Sequence, residues 1–249
     1  ENDKIDKLFV ISPIRVMYKV WPAECKKWSQ FDFSIGILHG AKKNATIEEE
    51  HDIYIINPES LKWLEDYLKK NKQYFKDEKW WLVVDESTMF KNSRSQRFKV
   101  LKKLVGMFKR RTILTGTPTP KHMENLWPQV FILDCGKRLG KYITQYRNMY
   151  FYPCGYMGYE YKLQDGKQEE IYKAVNDIII HKNDDELDLP ERLDNYIIVD
   201  MPSKARKIYE EMKEEFVAEA EENMLVAVNA AVASGKLRQI CNGGHRFSI

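Results

Sequence analysis

The sequence predicts an α/β fold, a doubly wound parallel sheet flanked by helices. Short apolar runs recur through the first half of the chain, each stops at a polar, glycine or proline break, and several breaks lead into helically spaced segments. Two of these runs end in chemistry. Trp80-Trp81-Leu82-Val83-Val84 stops at Asp85-Glu86-Ser87-Thr88, and Thr112-Ile113-Leu114 stops at Thr115-Gly116-Thr117-Pro118. In a parallel sheet, ligands sit at the carboxyl ends of the strands, so adjacent carboxylates at such an end suggest a site for magnesium and phosphate.

Taken in order, Leu8-Phe9-Val10-Ile11 reads as a strand stopped by Ser12-Pro13, and Val16 to Trp28 as the helix after it. Ser34 to Leu38 is the next strand, broken at His39-Gly40. Ile53 to Ile56 follows, broken at Asn57-Pro58, with a helix over Glu59 to Leu68. After the strand at Thr112, Met123 to Leu133 reads as a helix that closes the sheet domain. Tyr142 to Tyr161 is dense in aromatics and interrupted by Pro153, Gly155 and Gly158. It reads as an irregular connector that packs on the core, although such aromatics can also stack on bases. Tyr196-Ile197-Ile198-Val199 is expected to open a further unit as a strand, with Ser203 capping the next helix.

Composition narrows the function classes. The 249 residues can bury one large core or two smaller ones, and no run approaches the roughly 18 to 20 apolar residues of a membrane-spanning helix. The opening Glu1-Asn2-Asp3-Lys4 is unlike a signal peptide, so a soluble cytoplasmic chain is expected. Cys25, Cys135, Cys154 and Cys241 lie far apart and the five histidines form no metal-ligand spacing, which argues against zinc chemistry.

The net charge of +3 conceals two halves of opposite sign: residues 1–150 carry 28 Lys and Arg against 18 Asp and Glu, residues 151–249 carry 12 against 19. The basic excess peaks from Lys91 to Arg111, through Arg94, Arg97, Lys99, Lys102, Lys103, Lys109 and Arg110, with no acidic residue between. A solvated helix face explains such a run as well as a nucleic-acid backbone does; its place beside a phosphate site favours the backbone.

These motifs stand in a familiar order. Leu8 to Pro13 with Trp21-Pro22-Ala23-Glu24, then Ile56-Asn57-Pro58-Glu59-Ser60-Leu61, then Asp85-Glu86-Ser87-Thr88, then Leu114 to Pro118, resembles the first motor lobe of superfamily-two helicases of the Swi/Snf-related type. Phe90-Lys91-Asn92-Ser93 and Gly235-Lys236-Leu237-Arg238-Gln239-Ile240-Cys241-Asn242-Gly243 look most like the phage- and prophage-encoded branch. The resemblance implies a RecA-like sheet lobe over 1–135, a helical and aromatic connector over 136–190 and the incomplete start of a second RecA-like lobe over 191–249.

It further implies ATP and Mg²⁺ as cofactors, with Asp85 holding the metal through water and Glu86 activating the attacking water. Thr115, Gly116, Thr117 and Pro118 would couple nucleotide state to the DNA path. Ser12, Pro13 and Asn57 match positions facing the DNA backbone in relatives, and Lys91, Arg94 and Arg97 would add phosphate contacts to duplex DNA without reading sequence. Members of this family carry a glycine-rich phosphate loop ahead of the first strand seen here and a second lobe after the last helix. Neither is found in the sequence, so the chain alone is expected not to turn over ATP. The alternative is a non-enzymatic DNA-binding scaffold with a degenerate motor lobe. A nuclease, with Lys91 beside the metal, is a more distant third.

Overall fold

Five of the apolar runs become strands because each is short, rich in β-branched or aromatic residues and bounded by breaks. In the computed structural model, which describes residues 4–28, 30, 32–71, 73, 75, 78–116, 122–180, 195–222 and 226–242, these are β1 (Lys7–Ile11), β2 (Ile35–Leu38), β3 (Ile53–Ile56), β4 (Trp80–Val84) and β5 (Arg110–Ile113). They form one sheet ordered β2-β3-β1-β4-β5 in which every pair is parallel. The fold is the RecA-like doubly wound sheet expected from sequence. Its order reverses beside β1: the chain first goes to β2 at one edge and returns to fill β3 between β2 and β1, then crosses to β4 on the other side. The crevice at the carboxyl ends of β1 and β4 is therefore the switch point at which such sheets bind ligands.

The period-two alternation of the strands divides the core. Phe9, Ile11, Tyr54, Ile56, Trp80, Leu82 and Val84 face one side, where they meet α3 (Leu61–Lys70), α4 (Gln96–Leu104) and α5 (Leu126–Asp134). Val10, Ile53, Ile55 and Val83 face the other, against Met17, Trp21 and Cys25 of α1 (Ile14–Lys27). A single helical turn, α2 (Lys43–Thr46), follows β2.

Glu65 of α3 shows how the basic run is absorbed. Its carboxylate lies 2.8 Å from Lys103 of α4, 3.0 Å from Lys62 and 3.3 Å from Lys69. The hydrogen bond from Lys103, and after it that from Lys62, lowers its pKa from 4.5 to about 2. A depressed carboxylate contributes stability above its unfolded value and loses it as pH falls through the folded one. Stability is thus expected to decline from about pH 4.5 toward pH 2. Glu65→Gln should flatten that acid limb in pH-dependent urea melts, and an unchanged acid limb would show the lysine cluster to be inert.

The aromatic segment packs on the core as expected, but it is regular where its proline and glycines suggest an irregular connector. It folds as α6 (Ile143–Tyr150) and an antiparallel hairpin of β6 (Phe151–Cys154) and β7 (Glu160–Leu163), and α7 (Lys167–Val175) follows it. Pro153 occupies one strand of the two-stranded hairpin, where few ladder donors are needed, and Gly155 and Gly158 take φ of 73° and 72° in the turn. The aromatics divide in two: Tyr146, Tyr150 and Phe151 join the main core, while Tyr152, Tyr156 and Tyr159 are exposed. Burial, with the charge of Glu124 and neighbouring tyrosines, raises the Tyr146 hydroxyl pKa, so its proton stays in the bond to the Met123 carbonyl.

The chain divides into compact units at His181/Lys182, so residues 136–181 fold with the first. In the second unit α8 (Ser203–Glu222) and α9 (Val226–Cys241) pack on each other, and the Lys236 to Cys241 phrase lies on α9. The strand expected at Tyr196 to Val199 is not formed. These residues are 79–94% exposed, and none of the described strands pairs with them. Their β-branched composition supplies the propensity, but a strand also needs a neighbour for its N–H and C=O groups.

Candidate functional site

The acidic strand end is fixed from both sides by the sheet ladder continuing past β4. The Asp85 N–H donates to the Ile11 carbonyl at 2.8 Å, the Leu114 N–H to the Val84 carbonyl at 2.8 Å, and the Ser87 N–H to the Leu114 carbonyl at 3.0 Å. The β4 and β5 motifs, far apart in sequence, are thereby tied into one edge. At Glu86 the backbone turns left-handed, with φ 52° and ψ 55°, a conformation that costs about 1–2 kcal/mol for a residue with a Cβ. Strain of this kind concentrates at functional sites. A 3-10 turn over Ser87–Phe90 follows.

The two carboxylates are held differently. Asp85 is half-buried, and its Oδ2 accepts the indole N–H of Trp21 at 3.1 Å, which fixes its orientation with a neutral donor. Glu86 is exposed; its carbonyl accepts the Met89 N–H at 3.0 Å, but its carboxylate makes no hydrogen bond or ion pair among the described residues and is available to a ligand. Below them, the buried Ser87 hydroxyl donates to Gln129 Oε1 at 2.7 Å, and Gln129 Nε2 donates to the Asn125 carbonyl at 2.8 Å. Ser87, Gln129 and Trp21 thus position the pair.

The other expected site residues are placed unevenly. Thr115 is half-buried and Gly116 exposed beside the acidic turn, while Thr117 and Pro118 lie outside the described residues. Ser12 is fully buried and its N–H is already bonded to the Ile56 carbonyl at 3.0 Å, with Pro13 next to it half-buried. Asn57 is 2% exposed; its amide donates to Glu59 at 2.8 Å and accepts from the Ser60 hydroxyl at 2.6 Å. Contact of Ser12 or Asn57 with a DNA backbone requires these bonds to open.

Arg97 pairs with Glu59 at 2.6 Å. Lys102 lies over the rings of Trp127 and Phe131, and Arg111 donates to the carbonyls of Leu133, Val105 and Phe108. Lys91 and Arg94 make no ion pair among the described residues.

A magnesium–nucleotide complex in such enzymes uses one or two carboxylates together with substrate phosphates and water, not a cage of protein ligands. The residues present fit that requirement: Asp85 offers an oriented carboxylate at the switch point, and no group of three or more His, Cys, Asp or Glu that could hold a metal occurs among the described residues. No described helix is long and apolar enough to cross a membrane.

A parallel sheet of this order, with paired carboxylates at its switch point, is a RecA-like lobe with its ligand crevice at the carboxyl ends of β1 and β4. The family profile described as the SNF2-related domain matches residues 1–245, and the chain belongs to that family. It is similar to protein p41 of Acyrthosiphon pisum secondary endosymbiont phage 1, with 29% identity over 94% of this chain and 53% of that protein. It is also similar to Helicase domino of Drosophila melanogaster, with 23% identity over 96% of this chain and 7% of that protein. Among solved structures, the Sulfolobus solfataricus SWI2/SNF2 ATPase core in complex with dsDNA superposes with a TM-score of 0.56 at 19% identity, covering 98% of this chain and 50% of that one. The chain thus spans about half the length of the phage relative and less of the others. It is an SNF2-family domain similar in sequence to proteins named as helicases.

Proposed function

We propose that the protein containing this chain is a DNA-dependent ATPase that couples ATP hydrolysis to movement along duplex DNA. The observation that carries the proposal is the acidic strand end: an oriented Asp85 and an unpaired, exposed Glu86 held at the sheet's switch point by bonds to both neighbouring strands. Mg²⁺, held by Asp85 through its water shell, would neutralise phosphate charge. Glu86 orients the water that attacks the γ-phosphate and takes its proton. Because the Ser87 N–H is bonded to Leu114, a shift of the acidic turn is passed to Thr115 and Gly116, the start of the segment by which nucleotide state reaches the DNA.

Duplex DNA as the partner is supported by the dsDNA that the similar Sulfolobus ATPase core holds in its complex, and by the basic loop after the acidic turn. Lys91 and Arg94 supply phosphate contacts there, which confer salt-sensitive affinity without base discrimination. Arg97 contributes once its pair with Glu59 opens. Movement of the full-length protein can be read by ATP-driven displacement of a third strand from a blunt duplex. Displacement that requires ATP and a continuous duplex is expected. Duplex binding with neither displacement nor hydrolysis would make the lobe a scaffold.

A further inference from the structure

The basic loop and the tip of the β6–β7 hairpin meet at a cavity of about 490 Å³ that neither Asp85 nor Glu86 lines. Lys91 and Arg94 line it from the loop, His122 from the segment before α5, Arg147 from α6 and Tyr159 from the hairpin. Arg147 is committed to the framework: it donates to Glu124 at 2.7 Å and its guanidinium lies 4.3 Å from the Tyr161 ring centre. Lys91 and Arg94 have no carboxylate partner among the described residues. Tyr159 is 72% exposed although it is aromatic. The hairpin tip that carries it is built on Gly155 and Gly158 and on Met157 at φ 55°, a costly backbone for a residue with a side chain.

We propose that this cavity holds one unpaired nucleotide of a DNA strand, its phosphate against Lys91 and Arg94 and its base stacked on Tyr159. Two unpaired cations fix the ligand as anionic, and an exposed ring beside them adds a flat apolar surface. A cavity of this volume is of small-molecule size, enough for a single nucleotide. Bases within a duplex have their faces covered by neighbours, so only an unpaired base can meet the ring. Gaps, forks and frayed ends are thereby favoured over blunt duplex. The proposal rests on the DNA reading above and adds a second, single-stranded contact to it.

Fluorescence anisotropy with labelled oligothymidylate and with a blunt duplex tests the site. Tyr159→Leu is expected to weaken oligothymidylate binding about tenfold and to leave duplex binding within about twofold. Tyr159→Phe keeps the ring and should bind as wild type, and the paired change Lys91→Ala with Arg94→Ala should remove single-strand binding. Wild-type oligothymidylate affinity in Tyr159→Leu, with duplex still bound, would overturn the nucleotide site and leave the translocase reading standing. Failure of the wild-type chain to bind either DNA would overturn both. Displacement of the oligomer by thymidine monophosphate at equal concentration would assign the cavity to a free nucleotide and overturn the strand.

Discussion

Glu86→Gln in the full-length protein is expected to lower ATP hydrolysis by about 10²–10⁴-fold while ATP and duplex DNA remain bound. The amide has the shape of the carboxylate but cannot accept a proton from the attacking water. The Glu86 carboxylate makes no hydrogen bond or ion pair among the described residues, so the fold loses nothing by the change, and glutamine meets the same left-handed backbone. Denaturation midpoints should therefore coincide with wild type. Hydrolysis within tenfold of wild type would remove Glu86 from the chemistry and point to another base.

Trp80→Ala is expected to destabilise the first unit by about 3–5 kcal/mol, a large part of the roughly 5–15 kcal/mol that holds a domain together. Trp80 begins β4, pairs in register with Lys7 of β1 and is 1% exposed. Its ring is edge-on to Phe75 at 4.6 Å and to Phe9 at 6.2 Å, with Tyr54 at 5.6 Å. Three elements of the chain thus converge on one side chain, and their aromatic contacts cannot close over an alanine-sized gap. Urea unfolding monitored by circular dichroism measures the loss. A shift below about 1 kcal/mol would mean that the cluster collapses freely and that β4 is anchored elsewhere.

The strands and the carboxylate pair were legible in the sequence because each depends on local pattern: an apolar run, a break, and charge where the run stops. What fixes the pair was not. Trp21 reaches Asp85 across 64 positions and Ser87 reaches Gln129 across 42. Nothing in the spacing of an indole or an amide announces such a contact. The Lys91 to Arg111 run misleads for the same reason. No acid interrupts it in sequence, yet α3 and the turn before it bring Glu65 to Lys103 and Glu59 to Arg97, and Arg111 serves carbonyls at the ends of α5 and the turn after α4. Lys91 and Arg94, with no ion pair among the described residues, line the cavity beside Tyr159.

Two misreadings concern pairing. Tyr196 to Val199 has strand composition but no neighbouring strand among those described, whereas Phe151 to Leu163, broken by proline and glycine, forms a hairpin because its two halves lie close enough to pair with each other. Ser12 and Asn57 look available as short polar residues at strand ends. They are buried, because the parallel ladder and the turn into α3 use their polar groups.

The deciding measurement is the rate of ATP hydrolysis by the full-length protein with and without blunt duplex DNA. Magnesium-dependent hydrolysis stimulated by duplex, and lost in Glu86→Gln, is what a motor lobe with its chemistry at the end of β4 produces. Duplex binding by a folded protein with no hydrolysis under either condition would contradict it and leave the lobe a DNA-binding scaffold.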